Sequence, residues 1–286
     1  MSSMTKIICN IHWTPCDPLK KYLEDNKDLY VPVFGGGKEV MKLCNDKWLD
    51  EHVLTDDCCE DNISDLNPIL NEITSLYLIH KNLGLLDGHT ANIGLCHYRR
   101  FFNKEVLEKI DTCAGILLKP IPLGVFGRPC TLEKQYELCH VKADFDILKK
   151  TMMEEEDIFD EEVWDNWTNL YYLFAPCNMF VLKREVFNMY CKDLLKVALK
   201  LPYKIDLTGR DDYQKRACGF LCERFTSYWM FKNCISGKMK FIVTDAEEHL
   251  DWKPSDAGDA RGSYAGVYKG DESLKRIDKW LKSHKA

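Results

Sequence analysis

The sequence predicts an α/β fold with a mainly parallel sheet flanked by helices. Two observations carry that expectation. Short apolar runs of strand character alternate with amphipathic helical periods through most of the chain. No internal repeat or low-complexity block interrupts the alternation. A chain of 286 residues that is 45% apolar, with 16 Gly and 10 Pro, has an ordinary globular composition. At that length roughly 70–75% of the unfolded surface can be buried, so a core needs no metal or disulfide.

The elements follow in order. Lys6-Ile7-Ile8-Cys9-Asn10-Ile11 reads as a buried strand, followed by the loop His12-Trp13-Thr14-Pro15. A second extended run, Tyr30–Phe34, ends in Gly35-Gly36-Gly37. Three glycines let backbone amides approach a ligand, but no Gly-Lys-Ser/Thr follows, so a turn is expected rather than a phosphate loop. A helix is expected over 66–83, where Leu66, Ile69, Leu70, Ile73, Leu76, Tyr77, His80 and Leu83 recur at spacings of three and four. Ser64 stands where an N-cap would, and Gly84 where the helix would stop. Ala91-Asn92-Ile93-Gly94-Leu95-Cys96 is a short strand that ends abruptly in His97-Tyr98-Arg99-Arg100, and Gly115-Ile116-Leu117-Leu118 is another. A strand over 172–182 is interrupted by Pro176-Cys177-Asn178. Helices over 184–199 and from Asp211-Asp212 to about 233 precede a last strand over 239–243. Residues 1–244 are expected to form one domain. Residues 245–286, rich at first in Asp, Gly, Ala and Ser, are expected to form a C-terminal flap and a short amphipathic helix packed on it.

Charge and cysteine usage exclude some classes. Thirty-nine Lys and Arg against 45 Asp and Glu give −6, which speaks against non-specific binding to nucleic acid. The longest uncharged stretch, 169–182, is 14 residues and contains Pro176, short of the roughly 20 apolar residues a membrane span needs. Residues 1–6 lack the apolar core of a signal peptide. With 14 cysteines, no Cys-x-x-Cys and no histidine pair to complete a zinc site, buried free thiols in a reducing, cytoplasmic compartment are expected.

In an open α/β sheet, ligands sit beyond the carboxyl ends of strands. Three polar groups emerge at such ends: Asn10 to His12, His97 to Arg100, and Asn178. Two adjacent arginines directly after a buried strand cannot both enter the core, and each carries a fixed fork of donors suited to phosphate or carboxylate. An arginine pair bridging acidic neighbours on the surface fits that spacing equally well. The run 154–162 holds seven carboxylates and reads as a solvated face. The cluster that follows, Trp164, Trp167, Tyr171 and Tyr172, reads as an exposed platform for sugar rings or for an interface.

Gly94-Leu95-Cys96-His97-Tyr98-Arg99-Arg100-Phe101-Phe102 closely resembles the G-L-C-H-Y-R-R-[YF]-F signature of a glycosyltransferase-like family found in capsular and exopolysaccharide gene clusters and in some large viruses. Three further stretches resemble the same family in the same order. These are Asp61-Asn62-Ile63-Ser64 with Asn67, Glu72 and Thr74; Asn178-Met179-Phe180; and Tyr213-Gln214-x-Arg216-x-x-Gly219-Phe220-Leu221-x-Glu223-Arg224, where Cys222 replaces the usual Ser. The resemblance spans about residues 5–235, with the opening strand and His12 fitting more loosely.

The resemblance implies a single GT-A, Rossmann-like domain. A nucleotide-sugar donor would lie on its first half and a glycan acceptor on its second. Most GT-A enzymes carry an Asp-x-Asp, holding Mn²⁺ or Mg²⁺ on the diphosphate, at the strand end occupied here by His97 to Arg100. Its absence implies a transferase without a metal or other cofactor, in which Arg99 and Arg100 stabilise the leaving diphosphate. A Mn²⁺- or Mg²⁺-dependent site is the alternative. Asn10, His12, Asn62, Asn67, His97 and Tyr98 are the expected donor-binding residues, and Asn178, Trp164 and Trp167 the acceptor-binding ones. The base for an inverting transfer is expected at Asp212, with Glu223 as the second candidate. A uridine diphosphate donor is favoured only because that nucleotide is commonest in the class. Two rival readings remain: a non-catalytic carbohydrate- or nucleotide-sugar-binding module, and a scaffold using the Trp/Tyr cluster as an interface.

Overall fold

The computed structural model describes residues 4–247. The expected flap and helix over 245–286 therefore lie almost wholly outside the described residues. Seven strands form one sheet: β1 (Met4–Ile11), β2 (Tyr30–Phe34), β3 (Leu54–Thr55), β4 (Thr90–His97), β5 (Gly115–Leu118), β6 (Phe180–Lys183) and β7 (Phe241–Thr244), in the spatial order β7-β5-β6-β4-β1-β2-β3. Every pairing is parallel except those of β6, which runs antiparallel to both neighbours. This is the mainly parallel α/β architecture expected.

Side chains alternate across the sheet, and both faces are covered. Ile8, Ile93, Leu95, Leu117, Phe180 and Leu182 point into the larger core, while Ile7, Cys9, Cys96, Ile116 and Val181 point into the smaller one. On the smaller side lie α1 (Asp17–Asp25) and the short helices α2 (Gly37–Leu43) and α3 (Lys47–His52), through Leu19, Leu23, Met41 and Leu49. On the larger side lie α4 (Asn67–Leu70), α5 (Ile73–Lys81), α6 (Leu132–Cys139), α7 (Lys142–Met153), α8 (Glu161–Thr168), α9 (Arg184–Ala198) and α10 (Ala217–Ile235). Gly94 is required where β6 crosses β4: a Cβ there would meet the Phe180 carbonyl oxygen at 2.7 Å and Val181 Cγ2 at 2.8 Å.

Four expectations are corrected. The helix over 66–83 is two pieces, broken at Asn71, whose φ is +52°. The break is held from the side: Asn67 Nδ2 donates to the Asn71 carbonyl (3.0 Å) and to Thr74 Oγ1 (3.0 Å). Ser64 is no N-cap either; its hydroxyl donates to buried Asp56 (2.7 Å). The last long helix begins at Ala217 rather than at Asp211, after a single 3₁₀ turn over Gln214–Arg216. Trp164 and Trp167 form no exposed platform. They are 4% and 0% exposed, stand three apart on the inner face of α8, pack on Phe145 and Tyr228, and Trp167 Nε1 donates to Ser227 Oγ (3.1 Å).

The triple glycine is a turn, as expected. Its amides are used internally: Gly36 and Gly37 N–H donate to the Asp56 carboxylate, the latter at 2.8 Å. The acidic run is a surface face laced to α9 and the segment after it, with Lys200 2.6 Å from Glu155 and 3.3 Å from Glu154. All fourteen cysteines are free, six of them buried. Among the described residues no helix is long and apolar enough to cross a membrane.

Candidate active site

A cleft of about 390 Å³ opens beyond the carboxyl ends of β1 and β4. That is where the strand order turns, since β2 and β3 lie to one side of β1 and the later strands to the other. β1 delivers Asn10 and His12, and β4 delivers His97 and then Tyr98. Asn10 is oriented by Ser75, whose hydroxyl donates to Asn10 Oδ1 at 2.6 Å. The His12 ring stands edge-on to Trp13 (3.9 Å) and Tyr98 (5.4 Å). His12 borders open space, but its packed neighbours strip its water. That desolvation, with the fields of Arg216 and Arg99, holds its pKa down to about 4. Burial, then Arg99 and Arg100, keep His97 well below its usual range, and its Nδ1 accepts from the Arg99 N–H (3.3 Å). Both imidazoles are therefore neutral in the free protein, in a field set by guanidinium groups.

Arg99 and Arg100 stand just behind the lining. Arg99 lies over the Tyr98 ring at 4.8 Å, and Arg100 Nη1 donates to Cys177 Sγ at 3.3 Å; Tyr98 and Cys177 both line the cleft. Burial raises the Tyr98 phenol to about 12, against the pull of Arg99. The guanidinium groups at the cleft wall itself are Arg224 and Arg216, the latter donating from Nε to Asn71 Oδ1 (2.9 Å).

The facing wall is built by α10 and the broken helix. Gly219 allows them to meet: a Cβ there would stand 1.9 Å from Asn71 Nδ2. Glu223, one turn on from Gly219, enters the cleft with both carboxylate oxygens engaged. Oε1 accepts from the Cys177 N–H (2.7 Å) and Oε2 from Arg224 Nη1 (2.6 Å), and Arg224 in turn donates to Gln135 (2.8 Å). The turn that presents the Cys177 N–H is an unusual one, with positive φ at Ala175, Cys177 and Asn178.

Glu72 is the second carboxyl of the cleft, exposed there by the break at Asn71. Burial raises its pKa and the Glu223 charge adds to this, opposed by the hydrogen bond from Asn178 Nδ2 (2.6 Å). Asn178 is fully buried behind the lining, so it positions Glu72 and does not face a ligand; its Oδ1 has no partner among the described residues.

Of the residues expected at the site, Asn10, His12, Asn67, His97, Tyr98 and Glu223 line the cleft. Asp212 does not. Its side chain is fully exposed and pairs with Lys215 (3.0 Å), five residues before α10 begins, so no helix terminus supports it. Asn62 is also outside, bonded to the Cys59 carbonyl (2.8 Å) in its own turn. Trp164 and Trp167 are core residues. Glu72 and Arg216 belong to the quoted motifs, yet only the fold reveals that they meet across the cleft. Tyr213 and Phe220 also belong to a quoted motif, but His140 does not, and no local pattern brings the three together. Among the described residues no group of three or more His, Cys, Asp or Glu side chains is placed to hold a metal ion.

The family model described as "Domain of unknown function (DUF4422)" matches residues 19–234. No curated protein matches the chain. Among solved structures, the chain is similar to the WbbM bifunctional glycosyltransferase in its apo form, with a TM-score of 0.62 at 16% identity over 85% of this chain and 44% of that one. A weaker likeness, TM-score 0.33 at 11% identity over 98% of this chain and 97% of that one, is to a 4-diphosphocytidyl-2C-methyl-D-erythritol synthase from Anaerococcus prevotii DSM 20548. The likeness to WbbM is one of fold, and the chain spans less than half of that protein's length.

Proposed function

Since this chain belongs to the DUF4422 family, we propose, on the chemistry of its own cleft, that it is a glycosyltransferase, moving a sugar from a nucleoside diphosphate sugar to a hydroxyl of a glycan. One observation carries the reading: the Arg216 and Arg224 guanidinium groups and a firmly positioned carboxylate, Glu223, line one cleft at the turning point of the sheet, with Arg99 and Arg100 just behind its lining. The donor's diphosphate lies at the ends of β1 and β4, near Asn10 and His12, within the field of Arg99, Arg100 and Arg216. When the glycosidic bond breaks, its electron pair leaves on the diphosphate, and preorganised cations stabilise that charge where it develops. Guanidinium groups fill the role that a divalent ion fills elsewhere, so the transfer is metal-independent.

The acceptor hydroxyl gives its proton to Glu223. Its oxygen bonds to the anomeric carbon on the face opposite the departing diphosphate, and configuration inverts. The hydrogen bonds from Cys177 and Arg224 hold the carboxylate in one orientation, and general-base help of this kind is worth about 10²–10⁴-fold. Asp212, exposed and paired with Lys215, has no such role. A uridine diphosphate sugar is the donor we favour, and the free thiols fit a reducing, cytoplasmic setting.

Nucleotide binding tests the reading. Trp13, 36% exposed and 4.1 Å from the Tyr98 ring, serves as a fluorescent reporter. Titration with uridine diphosphate should change its emission, and Arg99→Ala should weaken binding. No response to any nucleoside diphosphate, by fluorescence or calorimetry, would end the proposal. Binding without turnover on any nucleotide sugar would instead support a non-catalytic binding module.

A further inference from the structure

One wall of the cleft is made of rings. His140, just past the end of α6, lies 5.8 Å from Tyr213 with the planes at 17°, and 4.5 Å from Phe220; Tyr213 and Phe220 are 4.9 Å apart. The cluster differs from the core aromatics around Trp167. All three rings are half-buried, and each borders the cleft. The three rings themselves are uncharged, with the Arg216 guanidinium over the Phe220 ring at 5.5 Å. Burial, together with the Arg224 charge, holds His140 down at about 3, so its imidazole is neutral at physiological pH.

Phe220 and Glu223 are three residues apart on α10 and both line the cleft. Three residues of helix rise span about 4.5 Å, close to the width of one sugar ring. A ring stacked on Phe220 therefore carries its edge to the Glu223 carboxylate. Planar polar side chains, Asn71 and Gln135, border the same surface and suit hydroxyl groups. The wall comes wholly from segments that follow β4, whereas the donor side is built around the ends of β1 and β4. The carboxyl groups of Glu72 and Glu223 and the guanidinium groups of Arg216 and Arg224 border the same cleft, so its formal charges balance and favour a neutral ring.

We propose that His140, Tyr213 and Phe220 form the acceptor platform, and that it takes a neutral pyranose, stacked by its C–H face on the rings and presenting a hydroxyl to Glu223. This rests on the transferase reading. The hydroxyl proton passes to Glu223 as the new bond to the anomeric carbon forms and the diphosphate leaves with the bonding pair.

Saturation-transfer NMR on the full chain tests it with methyl glycosides of neutral hexoses, methyl glucuronide and uridine diphosphate as probes. Saturation should reach the C–H protons of one face of a neutral glycoside. Phe220→Leu and Tyr213→Leu should each weaken that glycoside by about tenfold, Phe220→Tyr should retain it, and uridine diphosphate signals should be unchanged throughout. Thermal melts separate misfolding from loss of the ring face. Three results would overturn the proposal: no neutral glycoside bound, glucuronide bound in preference, or uracil signals lost in the leucine variants. A protein that binds the glycosides but no nucleotide would refute the transferase reading and leave the platform standing.

Discussion

Replacing Glu223 by Gln separates the two roles that the structure gives this side chain. The carboxylate accepts from the Cys177 N–H at 2.7 Å and from Arg224 at 2.6 Å. A carboxamide has one oxygen, so it can satisfy one of these donors and must turn an NH₂ toward the other. Arg224 is 6% exposed and Glu223 18%, so the lost pairing leaves a largely buried guanidinium without its carboxylate, held by the Gln135 hydrogen bond and the Tyr136 ring. Breaking a fully buried pair costs about 3–5 kcal/mol. The partial exposure of Glu223 reduces this to about 2–3 kcal/mol, a fall in Tm of roughly 5–10 °C for a chain of this size. The rate effect is separate, a loss of about 10²–10⁴-fold in transfer if Glu223 is the base. The assay is nucleotide release from a saturating nucleotide sugar and acceptor, run below the melting point measured for each protein, with donor affinity measured alongside. Arg224→Gln is the matched control, because it breaks the same pair but keeps the carboxylate, and its rate should fall far less. A Glu223→Gln protein that melts early yet turns over at the wild-type rate would refute the assignment.

Arg99→Ala and Arg100→Ala should each lose transfer by about 3 kcal/mol or more in the transition state with the fold intact, and Lys should rescue poorly because it lacks the guanidinium fork; normal turnover in both would remove the clamp. Asp212→Asn should match wild type in rate and in Tm, since the side chain meets only Lys215 at the surface; a dead variant would return the base to Asp212. Glu72 governs a pH dependence of stability. Burial raises its folded-state pKa, so the proton it binds stabilises the fold fully below the unfolded carboxyl value of about 4.3. That contribution is lost as pH rises through the raised folded value. Glu72→Gln removes the slope, so its Tm should gain on wild type from pH 4.5 upward; parallel Tm curves would contradict this.

What the sequence revealed, and what it concealed, follows from range. The strands at 6–11, 30–34, 91–96 and 115–118 are legible because a two-sided parallel sheet demands short continuous apolar runs, and these are bounded by turn residues. The β4 end was legible because two arginines cannot follow a buried strand inward. The helix break was not. The apolar period runs straight through Asn71, and the bonds that hold it open come from side chains, Asn67, Thr74 and the distant Arg216. Glu72 gained its place in the cleft from that break. Trp164 and Trp167 misled because they follow an acidic run, although their spacing of three already puts them on one helix face. The start of the last long helix was misplaced because a pair of acids resembles a helix start, whereas the helix forms only from Ala217. The aromatic wall joins residue 140 to residues 213 and 220, a distance in sequence that no local pattern crosses.

The most direct measurement of the central claim is nucleotide release from the unmodified chain over a panel of nucleotide sugars, with a neutral glycoside as acceptor and with EDTA present throughout. The account predicts turnover on at least one donor, dependent on the acceptor and unaffected by the chelator. No release on any donor would contradict the transferase claim, and release that EDTA abolishes and Mn²⁺ restores would contradict the guanidinium clamp.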